Sequence, residues 1–478
     1  MKFSTEQMTR TAMFRHKNEV APEAPRRRGR RRTFFAGLIA ASLVLTGCAG
    51  AGAIGAGEGK TQIVVAIVSN PQMQDAIALQ DKFRAEHPNI DVQFVSLPEN
   101  EARAKITASV ATGGGEFDVV MISNYETPMW AENGWITNLQ EYAETTEGYD
   151  PDDILPNIRK SLSYEDDLYS VPFYGESSFV AYREDLFKKA GVTMPADPTW
   201  DDIQGLAKKL HDPENGVAGI CLRGLAGWGE NLAPLNTVIS TYGGRWFDMD
   251  WNARLDSPQV EAAVTDYVNL VQNYGQPGAA TSGFGDCLTR YSQGNAAMWY
   301  DATSMVSSVE DPASSLVSDK TAYAASPVNK TEAAGWLYSW SLAIPKTSEN
   351  KDAAWEFMSW MTSKDYIKLV GNEFGWARVP PGSRQSTYEI PGYEKVSEAY
   401  AEPTLSAIAG ASQETSMTKP VPYTGLQFVG IPEFQDLGTR VAQQISAAIA
   451  GQKTVEEALE QSQRYAETVA ETYQAGEN

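Results

Sequence analysis

Apolar positions change period along this chain, and the changes mark its elements. Residues 63–68 form a near-continuous apolar run, as expected of a strand covered on both faces. The polar turn Ser69-Asn70-Pro71 follows. Ala76, Leu79 and Phe83 then recur at helical spacing, and Pro88 ends that segment. Ile90, Val92 and Phe94 alternate and predict a second strand; residues 119–122, after Gly113-Gly114-Gly115, predict a third. This β-α-β-α-β order predicts a parallel α/β sheet with helices on both faces. Further on, 339–344 reads as a strand and 352–361 as a helix carrying Trp355, Phe357, Met358 and Met361. Near the end, Thr454 and Glu457 form a capping box, and Val455, Ala458, Leu459, Ala466 and Val469 mark one apolar face. Self-similarity at a period of ~20–50 residues, the mark of a solenoid, is missing.

The N-terminal pattern is of another kind. Arg26, Arg27, Arg28, Arg30, Arg31 and Arg32 precede an uncharged run over 34–45, and Leu45-Thr46-Gly47-Cys48 follows. A basic region, an apolar stretch of ~7–15 residues and small residues at a cut site describe a secretory signal. The run is too short for a membrane-spanning helix, which needs ~20 apolar residues. A cysteine after Leu-Thr-Gly resembles the lipobox of bacterial lipoproteins. That resemblance implies a signal over 1–47, cleavage before Cys48, lipidation of its sulfur, and a body held on the extracytoplasmic face of the cell membrane. Residues 48–60, rich in Gly and Ala, read as a flexible tether. Arg31-Arg32-Thr33-Phe34-Phe35 also resembles the twin-arginine export motif; general export is the alternative route.

Charge narrows the partners. Residues 1–47 hold ten of the 39 Lys and Arg but only three of the 61 Asp and Glu, so the remainder carries a formal charge of about −29. Such a surface repels nucleic acid and anionic lipid. The 431 residues from Cys48 onward suffice for two or more domains. All 12 Trp and 21 Tyr lie there, which suits a site that grips its ligand through ring faces as well as a core. Cys221 and Cys287 either pair or remain as buried thiols, since spacing alone does not fix their geometry. With two histidines beyond residue 47 and no clustered Cys or His, no metal site and no cofactor are expected. No phosphate-binding loop or nucleophile elbow is present.

Four segments taken in order are similar to the extracellular solute-binding proteins of ABC sugar importers, the group that includes maltose-binding protein. They are Tyr169-Ser170-Val171-Pro172-Phe173-Tyr174 with Val180-Ala181-Tyr182-Arg183-Glu184-Asp185-Leu186-Phe187; Gln293-Gly294-Asn295-Ala296-Ala297-Met298-Trp299; Leu342-Ala343-Ile344-Pro345-Lys346 with Lys351-Asp352-Ala353-Ala354-Trp355-Glu356-Phe357; and Gly451-Gln452-Lys453-Thr454-Val455-Glu456-Glu457-Ala458-Leu459. Within that family, Phe173-Tyr174-Gly175-Glu176-Ser177-Ser178, Arg223-Gly224-Leu225-Ala226-Gly227-Trp228-Gly229-Glu230-Asn231 and Gly425-Leu426-Gln427-Phe428 resemble the subgroup that binds polyols such as mannitol and sorbitol.

The resemblance implies a two-lobed α/β periplasmic-binding-protein fold whose chain crosses between lobes near 171, 328 and 377. One lobe is then 60–171 plus 329–376 and the other 172–328 plus 377–478, with the ligand in the cleft. It also implies a non-catalytic, monomeric protein that hands a polyol or small sugar to a membrane permease with a cytoplasmic ATPase. An oligosaccharide ligand of trehalose or maltose type, and a secreted glycoside hydrolase with paired carboxylates, are the alternatives. A polyol needs polar partners for its hydroxyls and ring faces for its C–H groups. Residues in loops after apolar strands meet that need: Asn70; Asn124, Tyr125 and Glu126; Tyr174 and Glu176; Arg223, Trp228, Glu230 and Asn231. Arg245, Trp246, Asp301, Trp340, Trp376 and Arg378 are further candidates.

Overall fold

The structure is a computed structural model, described here for residues 59–476. The signal segment, Cys48 and nearly all of the tether lie outside the described residues. Ten strands form two main sheets and one small hairpin. They are β1 (Thr61–Val68), β2 (Ile90–Leu97), β3 (Val119–Ser123), β4 (Ser163–Tyr164), β5 (Asp167–Leu168), β6 (Val171–Glu176), β7 (Ser178–Arg183), β8 (Met298–Ala302), β9 (Thr321–Ala325) and β10 (Tyr338–Ala343). The first sheet has the order β2-β1-β3-β10-β6, the second β8-β7-β9, and β4 pairs with β5.

The expected strands form, and β1 runs parallel to both β2 and β3, with Val65 opposite Val119. The sheet is mixed, however: β10 lies antiparallel to β3 and to β6. A strand's period reports its faces and not its direction, so the sequence does not distinguish the two. The helix expected over 76–83 is broken at Leu79 into Pro71–Ala78 and Gln80–Glu86. The helices Lys351–Met361 and Val455–Gln474 form, the latter with the Thr454/Glu457 capping box in place.

The sequence places the first crossing near 171. β6 instead stays in the first sheet through Glu176, where it pairs with Tyr338, and the chain enters the second sheet at Ser178. The hydrogen bonds of β10 hold 171–176 on the first side. β9 of the second sheet is followed in the chain by β10 of the first. Past 377, Arg384 still bonds the Thr362 and Asp150 carbonyls and Ser386 bonds Asp153, so that stretch remains against first-sheet elements. Cys221 and Cys287 are joined, with an S–S distance of 2.07 Å. Among the described residues no helix is long and apolar enough to cross a membrane.

Asp118 ties the first sheet to its covering helix. Its buried carboxylate accepts from Val64 N at 2.9 Å, Ser348 Oγ at 2.7 Å and Asn350 Nδ2 at 3.1 Å. Removing it leaves these buried and half-buried donors without an acceptor. Asp118→Ala is expected to lower the unfolding free energy by about 2–4 kcal/mol, and Asp118→Asn by less, in chemical denaturation.

Candidate functional site

Strand ends and loops associated with the two sheets enclose a cavity of about 400 Å³. From the first sheet's side come the β1 end with Asn70, the helix Glu99–Ala111 with Glu99 and Arg103, Tyr174 and Glu176 of β6, and Tyr338 and Trp340 of β10. From the second come Arg223, Trp228 and Glu230, the helix Phe284–Ser292, and Ser304 just past β8; Gln427 completes the wall. A larger hollow of about 630 Å³, bordered by His211, Gln272, Gln276 and Arg290, has no carboxylate and no Trp, Tyr or Phe ring. It lacks the polar-plus-aromatic lining that orients a small ligand.

Two buried arginines organise the walls. Arg103 lies between indoles, its guanidinium 4.0 Å from the Trp228 ring and 4.4 Å from that of Trp340. Its nitrogens reach Glu99 at 3.0 Å and Glu126 at 3.2 Å, and Tyr338 Oη. Arg223 forks onto Asp301, with Nε 2.9 Å from Oδ2, and donates to the Gly229 carbonyl at 2.8 Å. Its guanidinium sits 5.0 Å from the Phe284 ring. Asn70 caps the helix Pro71–Ala78 by accepting from Met73 N and donates to Tyr174 Oη at 3.1 Å.

Glu176 is the cavity carboxylate with least cationic support. Its carboxylate accepts from the Ser304 hydroxyl, and burial pushes its pKa up to about 7. Glu230 accepts from Phe284 N at 3.2 Å; burial, reinforced by the like charge of Glu99, pushes it up to about 7 as well. A Cβ on Gly283 would fall 2.7 Å from a Glu230 oxygen, so glycine there permits the approach.

Of the residues singled out from sequence, Asn70, Tyr174, Glu176, Arg223, Trp228, Glu230 and Trp340 line the cavity. The others do not. Glu126 and Asp301 stand behind the wall and anchor the arginines. Asn124 ties β3 to β10 through Leu337 O and Ser339 N. Tyr125 donates to Ile431 O and packs on Trp228, Phe428 and Phe434. Asn231 donates to Ala442 O, and Trp246 to Asn236 Oδ1. Arg245 bonds Pro420 O at the surface, not Asp248 or Asp250. The Trp376 ring is packed against Gly371 and Gly392. Arg378 pairs with Asp75 in a neighbouring cleft of about 240 Å³. Each of these side chains is committed to protein partners. Sequence reading missed Glu99, Arg103, Tyr338, Ser304, Phe284, Leu288, Thr289 and Gln427 as lining residues. Glu99 and Arg103 carried a signal of sorts: an acid and a base four apart at the start of a helix.

Residues 69–368 match the family profile of bacterial extracellular solute-binding proteins. The chain is 41% identical over 426 residues to the mannitol-binding protein of Pseudomonas aeruginosa, covering 88% of this chain and 95% of that one. It superimposes with a TM-score of 0.84 on an ABC transporter solute-binding protein of Agrobacterium vitis S4 with bound D-mannitol, at 44% identity over 86% of this chain and 99% of the other. The maltose-bound MalE3 of T. maritima, at 21% identity, 85% and 99% coverage and a TM-score of 0.72, shares the fold. The chain therefore belongs to the bacterial extracellular solute-binding proteins, with the two-lobed fold of the maltose-binding type. This is a family of binding components of transport rather than enzymes, which removes the hydrolase alternative.

The raised Glu176 pKa has a consequence for stability. Between pH 4.5 and about 7 the folded state holds a proton that the unfolded chain has released, so stability falls as pH rises through that window and levels off above it. Ligand-free Glu176→Gln has no such proton. Its unfolding free energy is expected to decline less from pH 5 to pH 8 than that of the parent, by up to about 3 kcal/mol, in denaturant titrations at each pH.

Proposed function

We propose that this protein captures an acyclic polyol of hexitol size in the cavity between its lobes and delivers it to the permease of an ABC importer. The observation that carries the reading is the cavity lining: carboxylates and guanidiniums beside indole and phenyl rings in about 400 Å³. Each hydroxyl of an alditol donates and accepts, which this mixture answers from both sides, and its C–H edges fit ring faces. Glu176 and Glu230 accept hydroxyls, Arg103 and Arg223 donate, and Trp340 packs against the carbon chain. Two relatives above 40% identity, one a mannitol-binding protein and one with bound D-mannitol, support a polyol over an oligosaccharide. The lobes hinge closed on the ligand, and closure is what the permease senses. Cys48, after Leu-Thr-Gly, carries the lipid that keeps the body at the membrane surface.

Isothermal titration of the body from residue 49 is expected to give saturable D-mannitol or D-sorbitol binding and no heat with maltose or trehalose. Binding of disaccharides alone would overturn the polyol reading. Glu176→Ala is expected to weaken polyol binding by about 100-fold and Trp340→Ala by about tenfold or more, each leaving far-UV circular dichroism unchanged. In cells, Cys48→Ser is expected to move the protein from the membrane fraction to the soluble fraction.

A further inference from the structure

We infer that the Cys221–Cys287 disulfide is a positioning device for the cavity, pinning the wall helix Phe284–Ser292 to the segment that carries Arg223. The consequence for affinity rests on the polyol reading; the consequence for the wall does not.

Cys221 lies beside β8, its N–H donating to Met298 O at 2.9 Å in a parallel bridge to Trp299. Two residues later Arg223 turns into the cavity and clasps Asp301, also on β8. One end of the disulfide is thus fixed to the framework that aims Arg223. Its other end sits at the middle of the helix. Phe284, Cys287 and Tyr291 share one face by helical spacing; the rings of Phe284 and Tyr291 lie 5.4 and 6.1 Å from that of Trp299. Phe284 also reaches the cavity, and Gly285, Leu288 and Thr289, further round the helix and away from Cys287, line it beside that ring.

Leu288 and Thr289 also border the adjoining cleft of about 240 Å³, across which stand Pro71, Gln72 and Asp75 of the other lobe. The helix is therefore where the second lobe meets the first beside the cavity. Hydrogen bonds hold its two ends: Phe284 N donates to Glu230, and Leu316 N donates to the Ser292 carbonyl at 2.8 Å. Both ends of the helix are tied polar contacts, whereas the middle turn that projects Leu288 and Thr289 is tethered covalently. Both cysteines are wholly buried, so the bond acts from behind the wall and never meets the ligand. A binding wall held to sub-ångström tolerance depends on such support from behind.

The test compares the double variant Cys221→Ala, Cys287→Ala with Val441→Ala, a cavity-making change in the core away from this helix, chosen for a similar loss of melting temperature. Two readouts are taken well below melting: hydrogen exchange of amides 285–292, and D-mannitol affinity. Expected for the cysteine pair is exchange about tenfold faster over 285–292 with β1 unchanged, and binding about tenfold weaker. Val441→Ala should move neither. Equal exchange and equal affinity in the two variants would overturn the proposal by making the bond a mere stabiliser. If the parent protein binds no polyol, the ligand reading fails by itself and the exchange data still decide the clamp. Should the alanine pair not fold, Cys221→Val with Cys287→Ala, which refills part of the lost volume without restoring the bond, supplies both readouts.

Discussion

A buried arginine cannot stand without a carboxylate, and the cavity is built around two such obligations. Taking a guanidinium out of water is costly unless an opposite charge and hydrogen bonds meet it. Asp301, fully enclosed on β8, meets Arg223 and also accepts from Trp299 Nε1 and Ala302 N. Glu126, held by Ser123 N, meets Arg103 from behind the first sheet. Each pair fixes more than itself. Arg223 holds the Gly229 carbonyl, so the loop bearing Trp228 and Glu230 follows from where β8 places Asp301. Arg103 spans the indoles of Trp228 and Trp340, one from each side of the cleft.

Glu176 faces the cavity without an ion-pair partner and Glu230 with only the Arg223 guanidinium at 3.8 Å, and burial favours the protonated form of each. Such a surface suits ligands that bring hydroxyl donors and no negative charge. The formal charge of about −29 over the body acts in the same direction at long range. The proposed polyol is neutral, so neither scale of electrostatics opposes it.

How much of this was legible beforehand followed from how local each signal is. The strands β1, β2 and β3 and the capped C-terminal helix were readable because period and capping chemistry are properties of a few neighbouring residues. The antiparallel course of β10 was not, because direction depends on a partner more than 200 residues away. Asn70, Tyr174, Glu176 and the loop 223–230 were found because polar and aromatic residues crowd the ends of apolar runs. Glu99 and Arg103 were missed because an acid and a base one helical turn apart ordinarily belong to a solvated face. The opposite error befell Glu126 and Asp301: their chemistry suited hydroxyl binding, yet the fold turned each toward an arginine.

The sequence by itself determined the first three strands, the capped C-terminal helix, the acidic composition and the kinds of side chain available to a site. Only the tertiary structure decided which carboxylates face a ligand and which neutralise an arginine, and that the two cysteines pair behind the cavity wall. The physical reason is distance. Hydrophobic period and capping act over one or two turns of chain, whereas burial, ion pairing and a sulfur–sulfur bond depend on which remote segments the packed lobes bring together.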